Sequence, residues 1–278
     1  IGIPNHILEL VSPQTGRCDE QSAIHRLPRR VAHGHKGTYG HVGIVGGFPG
    51  KEGAAVLAAL GALHGGSGLV SWIGRGSFES VQRPPELMTR CWDSDGLESR
   101  ATVFVVGPGL GTTEHAKRAL YDVLDSEKPC VLDADALNLL AKGARRLLAD
   151  NVVLTPHPAE AARLLGTNTA AVLEDPLKHA SLLSAEFHAT VLLKGAQSVV
   201  ADTCGICTIV HEGDATLSTA GTGDVLAGLV AAYIAQGLAA ADAAMLGAFV
   251  HGRAGATLGA TASQRGVSAS EIASGLTD

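Results

Sequence analysis

Residues 220–237, AGTGDVLAGLVAAYIAQG, set one carboxylate at the mouth of an apolar helix, directly behind a glycine turn. Gly221-Thr222-Gly223 can take the positive φ of a turn and leave their amides unobstructed, and those donors join the unpaired amides of the first helical turn. Together they form an anion hole for phosphate. Asp224, beside it, can take a proton from a substrate hydroxyl while the amides stabilise charge developing on a transferring phosphoryl group. Val225, Leu226, Leu229, Val230, Tyr233 and Ile234 recur at helical spacing, predicting a helix over 224–236 that Gly237 ends. The plain alternative is an aspartate that only complements the helix dipole.

Upstream runs supply the other groups such chemistry needs. Lys194-Gly195-Ala196-Gln197-Ser198 closes an apolar strand with a cation and small residues, and a lysine there can neutralise phosphate as a point charge. His157 lies between Pro156 and Pro158 in a stiffened loop suited to a ligand contact, with Glu160 at the start of the next helix. Asp133 and Asp135 end a strand. One is expected to hold Mg2+ through phosphates and water, the other to cap the helix carrying Leu137, Leu139 and Leu140, and which does which is open. Gly107-Pro108-Gly109-Leu110-Gly111 lacks the spacing of a dinucleotide fingerprint. Either its amides, Gly109 included, line a ligand, or it is a tight strand-to-helix turn. Gly53-Ala54-Ala55 opens a helix of small residues that lets a ligand or another helix come close. Cys204-Gly205-Ile206-Cys207 with His211 offers too few zinc ligands, and a turn between strands is preferred there.

The elements that must position these groups alternate along the chain. Short β-branched runs at 41–45, 69–73, 102–106, 130–133, 152–155 and 191–194 are interleaved with amphipathic runs at 52–64, 113–125, 136–148 and 159–165. A hairpin over 197–210 and helices over 224–236 and 239–258 complete the series. That order predicts an α/β fold with a mainly parallel sheet and helices on both faces. Ligands in such sheets gather at the carboxyl ends of strands, where each of these motifs falls. Residues 1–35 read as irregular, so residues 1–30 are expected to be an extension and 31–278 the catalytic domain.

Composition narrows the partners. With 278 residues and 46% apolar content the chain can bury a sizeable core without disulfides or metal. A net charge of −6 leaves no basic surplus for nucleic acid. Glycine, at 35 residues, is well above the usual ~7%, and the excess falls in the motifs. The odd count of 5 cysteines fits a reducing cytoplasm better than a disulfide scaffold. No leader is recognised at Ile1, and Gln236, Gly237 and Asp242 interrupt the apolar stretch over 226–250, so no membrane span is expected.

Taken in order, KGTYGHVGIVGG, PGKEGAAVLAALGALHGGSGLV, VVGPGLG, VLDADALNLL, LTPHPAEAARLLG, LLKGAQSVV and GTGD resemble the NAD(P)H-hydrate dehydratases of the ribokinase-like superfamily, over about residues 30–260. The resemblance implies a metabolite-repair lyase that removes water from hydrated NADH or NADPH with ADP or ATP as co-substrate and Mg2+. It implies that Ala54 or Ala55, Gly109, His157 and Asp224 contact the hydrated nicotinamide, and that residues 194–198 and Gly223 bind the adenine nucleotide. HPAE stands where HPGE is usual, and Asp214 where Asn is usual. IGIPNHIL is similar to the closing strand of the epimerase domain fused ahead of many bacterial dehydratases. A homo-oligomer is expected, its Ala-rich helices suited to packing between subunits. The other readings of GTGD are a kinase of a vitamin hydroxyl and a non-catalytic nucleotide-binding module.

Overall fold

Apolar side chains on both sides of each central strand decide the architecture. Val42 and Ile44 face one way and Val45 the other, and all three are buried. A strand with no wet face needs cover on both sides, and helices supply it. In the computed structural model, residues 15–75, 78–79, 81–92, 100–143, 147–262 and 264–277 are described.

The elements are β1 (Thr15–Cys18), α1 (Glu20–Arg26), β2 (His41–Val45), α2 (Glu52–His64), β3 (Leu69–Gly74), β4 (Met88–Cys91), β5 (Val103–Val106), α3 (Glu114–Asp125), β6 (Cys130–Leu132), α4 (Asp135–Ala141) and β7 (Val152–Leu154). They continue with α5 (Pro158–Leu165), α6 (Thr169–Glu174), α7 (Pro176–Phe187), β8 (Thr190–Leu193), β9 (Ser198–Ala201), β10 (Cys207–Val210), α8 (Thr222–Ala235), α9 (Ala240–Ala262) and α10 (Ala269–Ser274). One sheet runs β1-β10-β9-β8-β7-β6-β5-β2-β3-β4, parallel except that β9 is antiparallel to β8 and β10. This is the mainly parallel α/β sheet expected. Helices α3, α4, α5 and α7 bury Phe104, Val106, Leu132 and Leu154 on one face. On the other, α2, α8 and α9 cover Val42, Ile44, Trp72, Val105 and Val153.

Glycine lets the second of these layers close. A Cβ on Gly61 would overlap the Val225 carbonyl oxygen, and one on Gly228 the Ala58 carbonyl oxygen, so α2 and α8 meet at backbone distance. Ala55, Ala58, Ala59 and Ala62 are buried in that contact layer, so the small-residue face is occupied within the chain. Among the described residues no helix is long and apolar enough to cross a membrane.

Three expectations change. The first 35 residues were expected to be irregular, but residues 15–26 belong to the fold, Thr15–Cys18 as a strand of the sheet and Glu20–Arg26 as a helix. β1 pairs with β10 from Thr15↔Cys207 to Cys18↔Val210, Asp19 caps α1, and Arg26 bonds Asp242 at 2.7 Å. An edge strand with one buried residue, Cys18, carries no alternation to detect. The helix expected over 136–148 stops at Ala141, where Lys142 caps it and Gly143 turns at φ 103°. Helices α6 and α7 lie where none was expected. The epimerase-like run 1–8 lies outside the described residues.

Candidate active site

Five strands deliver their motifs to one edge of the sheet. β2 ends before Gly46, β5 before Gly107, β6 before Asp133, β7 before Thr155 and β8 before Lys194. Gly221, at φ 91°, is the N-cap of α8 and has no side-chain cap. Thr222 is structural: its hydroxyl donates to the carbonyls of Leu217 (2.9 Å) and Thr219 (3.1 Å), and its amide reaches Thr219 at 3.4 Å. The amides of Gly223 and Asp224 are therefore the helix-start donors of the expected anion hole, with Gly221 shaping the turn. A Cβ on Gly223 would stand 3.3 Å from Lys194 Nζ and 4.0 Å from Asp133 Oδ2, so a cation and a carboxylate flank those amides.

Lys194 Nζ donates to Asp133 Oδ1 at 2.7 Å, and Thr155 Oγ1 donates to the same oxygen at 2.9 Å. Asp133 is 2% exposed, so this is a buried ion pair in which Oδ1 takes both hydrogen bonds. Burial alone would depress the Lys194 pKa; Asp133, Glu160 and Asp224 outweigh it and hold the ammonium above its ordinary value. Asp224 feels the opposite balance. Burial, then the charges of Asp133, Glu160 and Asp135, push its carboxyl up to about 7 against the pull of Lys194. A carboxylate titrating there is matched to general-base work near neutral pH.

His157 caps α5, its Nδ1 accepting from the amides of Ala159 (3.1 Å) and Glu160 (3.4 Å). The ring proton is thereby assigned to Nε2, which lies 3.5 Å from Glu160 Oε1. Burial, then the charges of Lys194 and Arg163, hold the imidazole below its ordinary pKa against the pull of Asp133. Glu160 completes the capping box, so Ala159 in place of glycine leaves the local helix start intact. Of the two alanines, Ala55 is 0% exposed and its Cβ meets the position a Cβ on Gly47 would take, facing the core. That burial withdraws its side chain from substrate contact. Ala54 is partly exposed beside Gly109.

The GPGLG run is largely knitted into the scaffold. Gly107 donates to Val45, Leu110 to Gly107, and Gly111 to Asp135 Oδ2 at 2.7 Å; Gly47 and Phe48 donate back to Pro108 and Gly109. Asp135 also accepts from Lys51 and Asn138. It sits at the first turn of α4 without capping it, while Ala134 between the two aspartates takes φ 47° and ψ −114° and turns them apart.

A cavity of about 670 Å3 opens beside the Gly223 turn, lined by Lys194, Gly195, Ala196, Ser198, Thr222 and Gly223 with the 212–218 loop. Gln197 does not line it; its amide faces His211 at 2.8 Å. Asp214 caps the 3-10 turn Ala215–Leu217 by accepting from Thr216, so aspartate serves that turn. Cys204 and Cys207 flank a hairpin turn in which Asp202 accepts from the amides of Cys204 and Ile206. His251 of α9 also lines the cavity and was missed in the sequence. A lone histidine in an Ala/Gly-rich helix gives no motif.

For Mg2+, the donor set is informative. Among the described residues no three His, Cys, Asp or Glu side chains gather into a metal cage. Asp135 is taken by Gly111, Lys51 and Asn138, whereas Asp133 keeps Oδ2 toward the Gly223 turn. Such a donor set fits a cation carried mainly by phosphate oxygens and water.

Residues 42–278 match the family model described as NAD(P)H-hydrate dehydratase. The chain is 43% identical over 240 residues to the ADP-dependent (S)-NAD(P)H-hydrate dehydratase of Neisseria meningitidis, covering 83% of this chain and 81% of that one. It is 40% identical over 269 residues to the bifunctional NAD(P)H-hydrate repair enzyme Nnr of Moorella thermoacetica, covering 89% of this chain and 50% of that one, so it spans about half of that relative's length. The solved ADP/ATP-dependent NAD(P)H-hydrate dehydratase of Bacillus subtilis, co-crystallised with ATP/Mg2+, superposes with a TM-score of 0.83 at 30% identity, covering 94% of this chain and 96% of that one.

Proposed function

The chain belongs to the NAD(P)H-hydrate dehydratase family, and on that premise we propose that it returns the S form of hydrated NADH and NADPH to NAD(P)H, using ADP, cleaved to AMP and phosphate. The observation that carries this reading is Asp224, raised to about 7, at the start of α8 beside Gly223 and the Lys194–Asp133 pair. The ring hydroxyl of the hydrate is a poor leaving group. Asp224 takes its proton, the oxygen attacks the terminal phosphorus of the nucleotide, and the bond to the AMP oxygen breaks. The amides of Gly223 and Asp224 stabilise charge on the transferring phosphoryl group. Loss of that phosphate together with a ring proton restores the dihydronicotinamide.

Lys194, Gly195, Ala196 and Ser198 hold the nucleotide, and His157, Ala54 and Gly109 bound the hydrated ring. Mg2+, when bound, neutralises the phosphates, with Asp133 within the set of residues that would hold it. The name ADP-dependent, printed for the Neisseria relative, supports ADP as donor. The setting we propose is the cytoplasm, with an epimerase, separate or fused, supplying the S form.

Asp224→Asn tests the assignment of the base. Calorimetry should find nucleotide binding within a few-fold of the parent, while recovery of dihydronicotinamide absorbance falls by about three orders of magnitude or more. A variant retaining near-normal turnover would remove Asp224 as base.

A further inference from the structure

The wall of the same cavity holds a polar group that the proposed chemistry leaves unused. His251 is 5% exposed and lines the cavity, and its Nε2 is buried with no hydrogen-bond partner. The other ring nitrogen is engaged: the ring hydrogen-bonds the Thr222 backbone in the sense that favours protonation, which makes Nδ1 the donor and the carbonyl the acceptor. Nε2 is then an acceptor. Burial holds the ring's pKa down to about 4, so it stays one throughout the physiological range. An orphaned buried acceptor costs free energy unless a ligand donor meets it.

The chemistry of the ligand narrows what that donor is. Ionised phosphate oxygens only accept, so the donors an adenine nucleotide offers are its ribose hydroxyls and its exocyclic amine. His251 is tied to Thr222, the residue before Gly223, where the phosphates are assigned, and the ribose is the next unit of the nucleotide beyond them. We propose that His251 reads the nucleotide sugar, its Nε2 accepting a hydrogen bond from a ribose hydroxyl. This makes it a binding and specificity residue and rests on the nucleotide-binding reading of the cavity. α9 is a rigid support for it, because Gly252 lets that helix lie against the Glu212 backbone, where a Cβ would approach the Glu212 carbonyl within 2.6 Å.

Calorimetric titration of the full chain in Mg2+ with ADP, 2′-deoxy-ADP, 3′-deoxy-ADP and inosine diphosphate tests this. The parent protein should bind one of the two deoxy nucleotides about tenfold more weakly than ADP. His251→Phe should bind ADP about tenfold more weakly and lose that discrimination, and His251→Gln, which returns an acceptor, should regain part of it. Thermal unfolding of both variants identifies a folding failure, in which case the parent's own discrimination between ADP and the deoxy nucleotides decides. Equal affinity of the parent for all sugars, or discrimination unchanged in His251→Phe, overturns the inference while leaving the nucleotide site standing. Discrimination lost only against inosine diphosphate assigns His251 to the base and overturns the sugar assignment. Failure of the parent to bind any nucleotide overturns the reading of the cavity and this inference together.

Discussion

Asp224 carries a conflict between stability and chemistry. Its carboxyl is raised from an ordinary 3.8 to about 7 in the folded chain, chiefly by burial. Because the folded pKa is raised, this group's contribution to stability is fully present below pH ~4 and is lost as pH rises through about 7. Ionised Asp224 therefore strains the fold it serves, by up to about 4 kcal/mol at pH 8. Asp224→Asn should accordingly raise the unfolding temperature, with a gain that grows between pH 5 and 8; a variant destabilised at pH 8 would contradict the strain. Turnover should follow the ionised form, with kcat/KM rising through about pH 7 and then levelling, because the base must be deprotonated. Lys194→Met removes the charge that pulls the Asp224 pKa down, so the limb of that profile should move to higher pH. It also leaves Asp133 buried without its partner, a loss of about 3–5 kcal/mol that Asp133→Asn in the same chain should partly recover in denaturant titration. The anion-hole turn, the lysine and the histidine loop could be read in the sequence because each interrupts an apolar run with a charge or a glycine. His251 could not, since its significance comes from burial and an unmade hydrogen bond, neither of which leaves a local pattern.

Helices place these residues through contacts that tolerate no added volume. α8, which carries Asp224 in its first turn, packs on α2 with Gly228 against the Ala58 carbonyl and Gly61 against the Val225 carbonyl. Gly228→Ala should therefore cost about 3 kcal/mol in denaturant unfolding and depress turnover, because separating the helices shifts the turn ahead of Asp224. A stable and fully active Gly228→Ala protein would contradict this. Periodicity made β2 over 41–45 and α2 over 52–64 legible to the residue, since both are strongly apolar and bounded by glycine or charge. It failed for α6, which has 6 residues and buries only Val172, and for α7, whose buried face sets the polar His179 and Ser184 among Ala180, Leu183 and Phe187. Their start signals were nonetheless present: Asn168 accepts from Ala171, and Asp175 accepts from Lys178 ahead of Pro176. Capping residues, rather than apolar spacing, mark those helices.

At the scale of the whole molecule, the sheet extends further toward the amino end than its motifs suggest. β1 covers the edge of β10, and Arg26 of α1 pairs with Asp242 of α9, although the family model begins only at residue 42. Removing residues 1–30 should expose the β10 edge and the sites that Cys18 and Ala23 fill, lowering the unfolding temperature and increasing aggregation in light scattering. An equally stable, monodisperse truncation would mark that segment as dispensable. Fold class and the edge of the sheet that carries the site followed from alternating runs and strand-end motifs. The joining of β1 to the far edge did not, because it depends on a contact nearly 200 residues away in sequence. The most direct test of the whole account is to incubate the protein with enzymatically prepared NADH hydrate, Mg2+ and either ADP or ATP, following dihydronicotinamide absorbance and released phosphate. Recovery with ADP, with phosphate released in step with dihydronicotinamide, is the expected result. A stable phosphorylated product, or no recovery with either nucleotide, would contradict it.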